Sequence, residues 1–254
     1  MKYSQLTLLI STALFLTACG GGGSSDLSAT SNVSNNNHSN TSETNFNNNN
    51  SSGHKPANLA TNHAIKLSIQ DAQVTQLENV DNQSVDLNQL IVDGQTIPLT
   101  YPGISAVSFI SINGSNVSGN HMSYARYGTV NSANGPYIFS QGQVTPAKEI
   151  PQTGIATYKG LSVYVSKERE ASTGSSEFNV DFGQKTLTGN IHIKDITDIA
   201  LNANIQGNTF KGKTVEGVET QGSFYGPKAA ELSGVYSNAN QKISGAYGAV
   251  LVKP

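Results

Sequence analysis

One cysteine, no tryptophan and two methionines in 254 residues set the first limits on this chain. A lone thiol, Cys19, forbids an intramolecular disulfide, so the fold must rest on apolar burial and hydrogen bonds. Charge is scarce too. There are 15 basic and 17 acidic residues, a formal net charge of −2, and charged residues make up only 13% of the sequence. So weak a balance of mixed sign excludes the basic stripe that nucleic acid requires. No nucleic-acid partner is expected. No stretch reaches the ~20 consecutive apolar residues of a spanning helix. Neither Gly-x-Ser-x-Gly nor His-Glu-x-x-His occurs, so no hydrolase constellation is present, and neither an enzyme nor a metal site is expected. Beyond residue 18, no apolar run keeps helical period for more than two turns.

What is present begins at the N terminus. Lys2 supplies a positive end, and Leu6 to Leu16 an apolar core of signal-peptide length. Leu16-Thr17-Ala18-Cys19 reads as a lipobox. Cleavage before Cys19 makes it the first mature residue, and its thiolate forms a thioether to diacylglycerol. Residues 1–18 are therefore read as a lipoprotein signal peptide. Each buried CH₂ of the acyl chains contributes about 0.8 kcal/mol to membrane anchoring. Gly20, where an aspartate would favour inner-membrane retention, points to the outer membrane.

Residues 19–62 read as a lipidated, disordered tether. Fourteen of the twenty residues from Ser31 to Asn50 are Asn or Ser, too little apolar surface to offset ordering entropy. Some 40 such residues have a root-mean-square reach of roughly 35 Å, enough to lift a domain past lipid head groups.

From His63 onward the pattern has period two, and the fold class is all-β. Ile65, Leu67 and Ile69 alternate with Lys66, Ser68 and Gln70. Leu90 to Leu99 reads as two strands around Asp93-Gly94, a strong hairpin signal. Val107 to Ile112 precedes a second turn at Asn113-Gly114. Tyr124 to Val130 and Tyr137 to Val144 are further strands. Residues 63–149 thus form a loop-rich antiparallel domain. Residues 150–254 are more regular and hold eight strands: Ile155 to Val165, Phe178 to Phe182, Leu187 to Ile193, Ile199 to Ile205, a short one at Phe210, Val218 to Tyr225, Leu232 to Tyr236 and Ile243 to Leu251. One helical turn is expected at Pro227. Eight antiparallel strands in ~100 residues, each with one apolar face, predict a small closed barrel filled by side chains. Gly189, Gly222, Gly234 and Gly245 are expected where such a barrel bends.

Gly154-Ile155-Ala156-Thr157-Tyr158-Lys159-Gly160, the alternating Glu177 to Phe182, Leu187-Thr188-Gly189-Asn190-Ile191, and the run Phe224-Tyr225-Gly226-Pro227-Lys228-Ala229-Ala230-Glu231-Leu232-Ser233-Gly234 together resemble the barrel domain of the transferrin-binding protein B family. Its relatives include factor H binding protein and hemophilin. Val92 to Ile97 also resembles a stretch of factor H binding protein. The resemblance covers residues ~150–254 well and the preceding part loosely. It implies a lipidated tether, a handle domain and an eight-stranded barrel. It also implies a lipid-anchored outer-membrane location facing the cell exterior, reached through a Slam-type translocon. The ligands of such a family are host-derived: a host protein or host surface first, haem or a haem protein second. One handle–barrel unit, rather than two lobes, makes transferrin a lesser expectation. A purely structural envelope protein is the third reading, and a monomer is expected.

Candidate site residues cluster in the handle. His121-Met122-Ser123-Tyr124-Ala125-Arg126-Tyr127 places an imidazole, two aromatics and a cation together. His121 is a candidate axial ligand for haem, with Arg126 suited to a propionate. Tyr101, Tyr124, Tyr127 and Tyr137, with Arg126, are candidate contacts for a protein ligand, since tyrosine and arginine anchor polar interfaces. His192 lies on the polar side of its strand and is expected to be solvated. Lys167-Glu168-Arg169-Glu170 forms a hairpin tip that reads mainly as a soluble loop.

Overall fold

The computed structural model describes residues 62–252, apart from 72, 83–85 and 168. The leader, Cys19 and the tether lie outside the described residues, as do the side chains of His63, Glu168, Arg169 and Glu170.

Among the described residues, every regular element longer than a single 3₁₀ turn is a strand. Eight precede residue 143: β1 (Asn62–Gln70), β2 (Gln73–Asn82), β3 (Gln89–Val92), β4 (Gln95–Pro98), β5 (Phe109–Ile112), β6 (Ser115–Ser118), β7 (Ala125–Ser132) and β8 (Gly135–Gly142). Eight follow: β9 (Ile155–Ser166), β10 (Arg169–Asp181), β11 (Thr186–His192), β12 (Ile199–Gln206), β13 (Thr209–Lys213), β14 (Glu219–Tyr225), β15 (Glu231–Asn238) and β16 (Ile243–Leu251). The second group closes into a barrel in the order β10-β11-β12-β13-β14-β15-β16-β9, all antiparallel. A 3₁₀ turn at Pro227–Ala229 stands where Pro227 predicts one helical turn.

The barrel is filled from alternate positions. Tyr158, Phe178, Val180, Leu187, Ile191, Phe210, Phe224, Leu232, Tyr236 and Tyr247 form its buried core. Buried phenols need partners, and these have them. Tyr158 donates to the Ala229 carbonyl at 2.7 Å, and Tyr236 to that of Val163 at 3.2 Å. Thr220 donates to the Val235 carbonyl at 2.9 Å, leaving its oxygen to accept from Tyr247 at 2.7 Å.

The strand glycines serve these rings rather than the bends expected from the sequence. Each is the direct cross-strand neighbour of an aromatic: Gly189 of Phe178, Gly222 of Phe210, Gly234 of Tyr247 and Gly245 of Tyr236. A Cβ at any of the four would overlap the facing ring or hydroxyl. The glycine leaves a flat slot, and the ring covers backbone that a side chain would otherwise shield.

The handle is more regular than its sequence predicts. It is a six-stranded sheet in the order β2-β1-β8-β7-β6-β5, with β3 and β4 as a separate hairpin. Strands β2 and β6 are absent from the sequence reading, because neither Gln73 to Asn82 nor Ser115 to Ser118 carries a continuous apolar alternation. The hairpin covers one face of the sheet, burying Leu90, Val92 and Leu99 against Val117, Val130, Tyr137 and Phe139. Both Asp93 and Gly94 of its turn have positive φ, +51° and +71°, as an Asp-Gly hairpin turn requires. The other face packs on the outer barrel wall, where Ala125, Tyr127, Ile138 and Ile69 meet Val163, Tyr225, Val235 and Ala246. The wall there is built of small residues, with Ser233, Ser244, Ala246 and Gly248 all buried. Ser233 Oγ donates to the Tyr247 carbonyl at 2.7 Å and accepts from Ser140 Oγ at 2.8 Å. Burial there pushes the Tyr225 phenol up to about 12.

Gly189→Ala should therefore destabilise the barrel by about 1–3 kcal/mol through overpacking against Phe178. Urea unfolding should show a lower midpoint with an unchanged slope.

Candidate functional site

At the β5 edge of the handle, the chain between β4 and β5 forms an exposed loop. Leu99 is fully buried and anchors its start. Tyr101-Pro102-Gly103-Ile104 then makes a tight turn, with the Ile104 N–H donating to the Tyr101 carbonyl at 3.0 Å. Proline followed by a positive-φ glycine, here +76°, is the signature of a type II turn. Beyond it, Ile104 is 49% exposed and Val107 79% exposed.

The backbone beneath them is held firmly by the segment after β6. Asn120 Nδ2 donates to Ser105 Oγ at 2.6 Å. The N–H of Asn120 donates to the Ala106 carbonyl at 2.8 Å, and the N–H of Gly119 to that of Ser108 at 2.6 Å. His121 Nδ1 faces the Val107 carbonyl at 2.8 Å. Four consecutive residues are thus stapled. Gly119 is required for so close an approach, since a Cβ there would overlap the Ala106 carbonyl. A loop fixed before binding loses little entropy on binding.

His121 packs edge-on against Phe109 and Tyr127, with ring centroids 6.3 and 5.8 Å away. Its Nε2 lies 2.9 Å from the Tyr127 hydroxyl. Burial lowers its pKa, opposed by the Val107 and Ser108 carbonyls and assisted by the charge of Arg126. The neutral ring donates from Nδ1. The Tyr127 oxygen, 2.9 Å from Nε2, stands where a haem iron would have to sit.

Arg126 is committed as well. Its Nη1 donates to the carbonyls of Met122 at 2.6 Å and Ala125 at 2.9 Å. Tyr127 is fully buried in the handle–barrel interface, and its hydroxyl donates to the Leu161 carbonyl of β9 at 2.9 Å. Tyr137 lies under the β3–β4 hairpin, donating to Asp93 Oδ1 at 2.9 Å. Neither Tyr127 nor Tyr137 offers surface to a partner; both tie elements together. Tyr124 is half-buried and rests its ring on Gly226. Tyr101 is half-exposed in the loop itself. His192 sits on the exposed side of β11, with Nδ1 2.7 Å from Asp198 Oδ1. Among the described residues no cluster of His, Cys, Asp and Glu could hold a metal ion.

Two kinds of residue that shape this region escape sequence reasoning. Ile104 and Val107 resemble any strand-flanking apolar residues, and only the Pro102-Gly103 pair hints that they sit on a turn. Glu231 is the other. It reaches from β15 into the handle, is 3% exposed, and accepts from the N–H groups of Ser123 at 2.6 Å and Tyr124 at 3.0 Å. Burial raises its pKa, while these N–H groups and Arg126 pull it back.

The handle sheet, with the loop at its β5 edge, is seated on a closed eight-stranded barrel. Residues 150–250 match the family model for the C-lobe and N-lobe beta barrels of Tf-binding protein B. The chain is 34% identical over 290 residues to an uncharacterized protein of Haemophilus influenzae, covering 98% of this chain and 99% of that protein. It is 35% identical over 157 residues to the Neisserial heparin binding antigen of Neisseria meningitidis, covering 58% of this chain and 30% of the antigen. A mutant transferrin-binding protein B from Haemophilus parasuis matches in structure with a TM-score of 0.60 and 25% identity, covering 76% of this chain and 46% of that one. The chain belongs to the transferrin-binding protein B family. It spans less than half the length of the two named relatives, both binding proteins.

Glu231→Gln removes one of two acceptor oxygens and should cost about 1–3 kcal/mol in urea unfolding at pH 7. The lowered His121 pKa has a definite sign. As pH falls below ~6.5, the unfolded chain takes up this proton before the folded one does. Stability contributed here is present above that value and declines as pH drops toward the lowered pKa. His121→Gln should flatten this part of the Tm–pH curve.

Proposed function

We propose that this chain is a surface lipoprotein that captures a host protein through the loop carrying Ile104 and Val107. The observation that carries the reading is the pairing of exposed apolar side chains with a fully stapled backbone. An apolar tip on a preformed frame suits a protein surface better than a small polar solute. Family membership supports a binding role over catalysis. Lipidation at Cys19 anchors the chain in the outer membrane, and a Slam-type translocon carries it to the cell exterior. Tyr101, beside the tip, and Tyr124, nearer the barrel, add amphipathic contact area around it.

Haem is the weaker reading. Its candidate ligand His121 has both ring nitrogens against handle groups, and one nitrogen of its candidate propionate partner Arg126 is held by the Met122 and Ala125 carbonyls.

The test is capture by intact bacteria displaying the full chain, incubated with host plasma and, separately, with purified transferrin and haemoglobin. Wild type should retain a host protein from plasma, and Ile104→Glu with Val107→Glu should weaken retention at least thirtyfold. Equal retention by the double variant would remove the loop from the site. A haemin Soret shift abolished by His121→Ala would put haem in place of this reading.

A further inference from the structure

We propose that Tyr127 is a positioning residue through which the barrel sets the shape of the binding loop. This rests on the reading of Ile104 and Val107 as the binding tip. The tyrosine stands midway along a chain of contacts from barrel wall to loop. Its ring lies on Gly248 of β16, so close that a Cβ there would overlap ring carbons. Its hydroxyl is 2.9 Å from the Leu161 carbonyl on β9 and 2.9 Å from His121 Nε2. His121 in turn holds the Val107 carbonyl at 2.8 Å, and the Tyr127 ring packs edge-on against Phe109 at 5.7 Å. Barrel, tyrosine, histidine and tip are thus four successive links.

The hydroxyl makes the connection specific. A phenylalanine would fill the same volume with no buried polar group to satisfy. The phenol's one proton goes to Leu161 O on the barrel, while the same oxygen lies 2.9 Å from His121 Nε2 and its ring packs on Phe109, so one side chain touches both the barrel and the groups that hold the loop. The rest of the loop is stapled to residues 119 and 120 and, at its start, to Asn88, all within the handle itself. Glu231 is a second barrel contact, but it grips Ser123 and Tyr124, outside the loop. Tyr127 is therefore the route by which a change in the wall reaches the tip.

Hydrogen exchange on the full chain tests this without any ligand. The amides of Gly119 and Asn120 report the staple, and those of Leu251 and Val252 report the barrel. Tyr127→Phe should raise exchange at Gly119 and Asn120 about fivefold to tenfold, the value of one lost hydrogen bond, and leave Leu251 and Val252 unchanged. Gly248→Ala, which adds one methyl against the ring from the barrel side, should reproduce that pattern. Unchanged loop exchange in Tyr127→Phe would overturn the proposal. So would a rise shared equally by the barrel amides, the mark of general destabilisation. If the loop variants still capture host protein while this pattern holds, the binding assignment fails and the coupling stands.

Discussion

The handle can lie on the barrel because the wall beneath it is made of small side chains. Ser233, Ser244, Ala246 and Gly248 let a sheet approach a second curved sheet closely enough for Tyr127, Ile138 and Ala125 to reach Val163, Val235 and Ala246. Without that recess the handle would have no fixed seat. The Ser140–Ser233 bond would not form, and the loop at the β5 edge would be presented from a moving support. The same device recurs inside the barrel, where glycines opposite Phe178, Phe210, Tyr236 and Tyr247 admit whole rings. Pairing a missing side chain with a large one is how so small a barrel is packed without voids.

Much of this architecture is legible in the sequence, because period-two alternation and turn chemistry are local signals. The eight barrel strands, the Asp93-Gly94 and Asn113-Gly114 turns and the 3₁₀ turn at Pro227 all carry such signals. Strands β2 and β6 do not. Ser115-Asn116-Val117-Ser118 is polar and short, and it is a strand only because β5 and β7 pair with it. The strand glycines mislead for a related reason. Their role depends on which residue lies across the ladder, and the sequence does not print the register.

The site was less legible than the fold. Composition and spacing drew attention to His121, Arg126 and the tyrosines, whose chemistry is conspicuous. The structure spends most of that chemistry on internal bonds. Ile104 and Val107, ordinary by type, became prominent only through exposure. The run from Phe224 to Gly234, the most distinctive stretch of the family resemblance, is likewise a joint rather than a contact. Gly226 receives the Tyr124 ring and bonds both Gln143 and Thr145, while Glu231 accepts from the N–H groups of two handle residues, Ser123 and Tyr124.

The staple beneath the exposed tip engages main-chain groups of residues 106–108 and leaves the side chains of Ile104 and Val107 out of the frame. Folding therefore places almost no demand on what stands at those two positions. Substitution at either position can change the character of this surface while the scaffold that carries it stays intact.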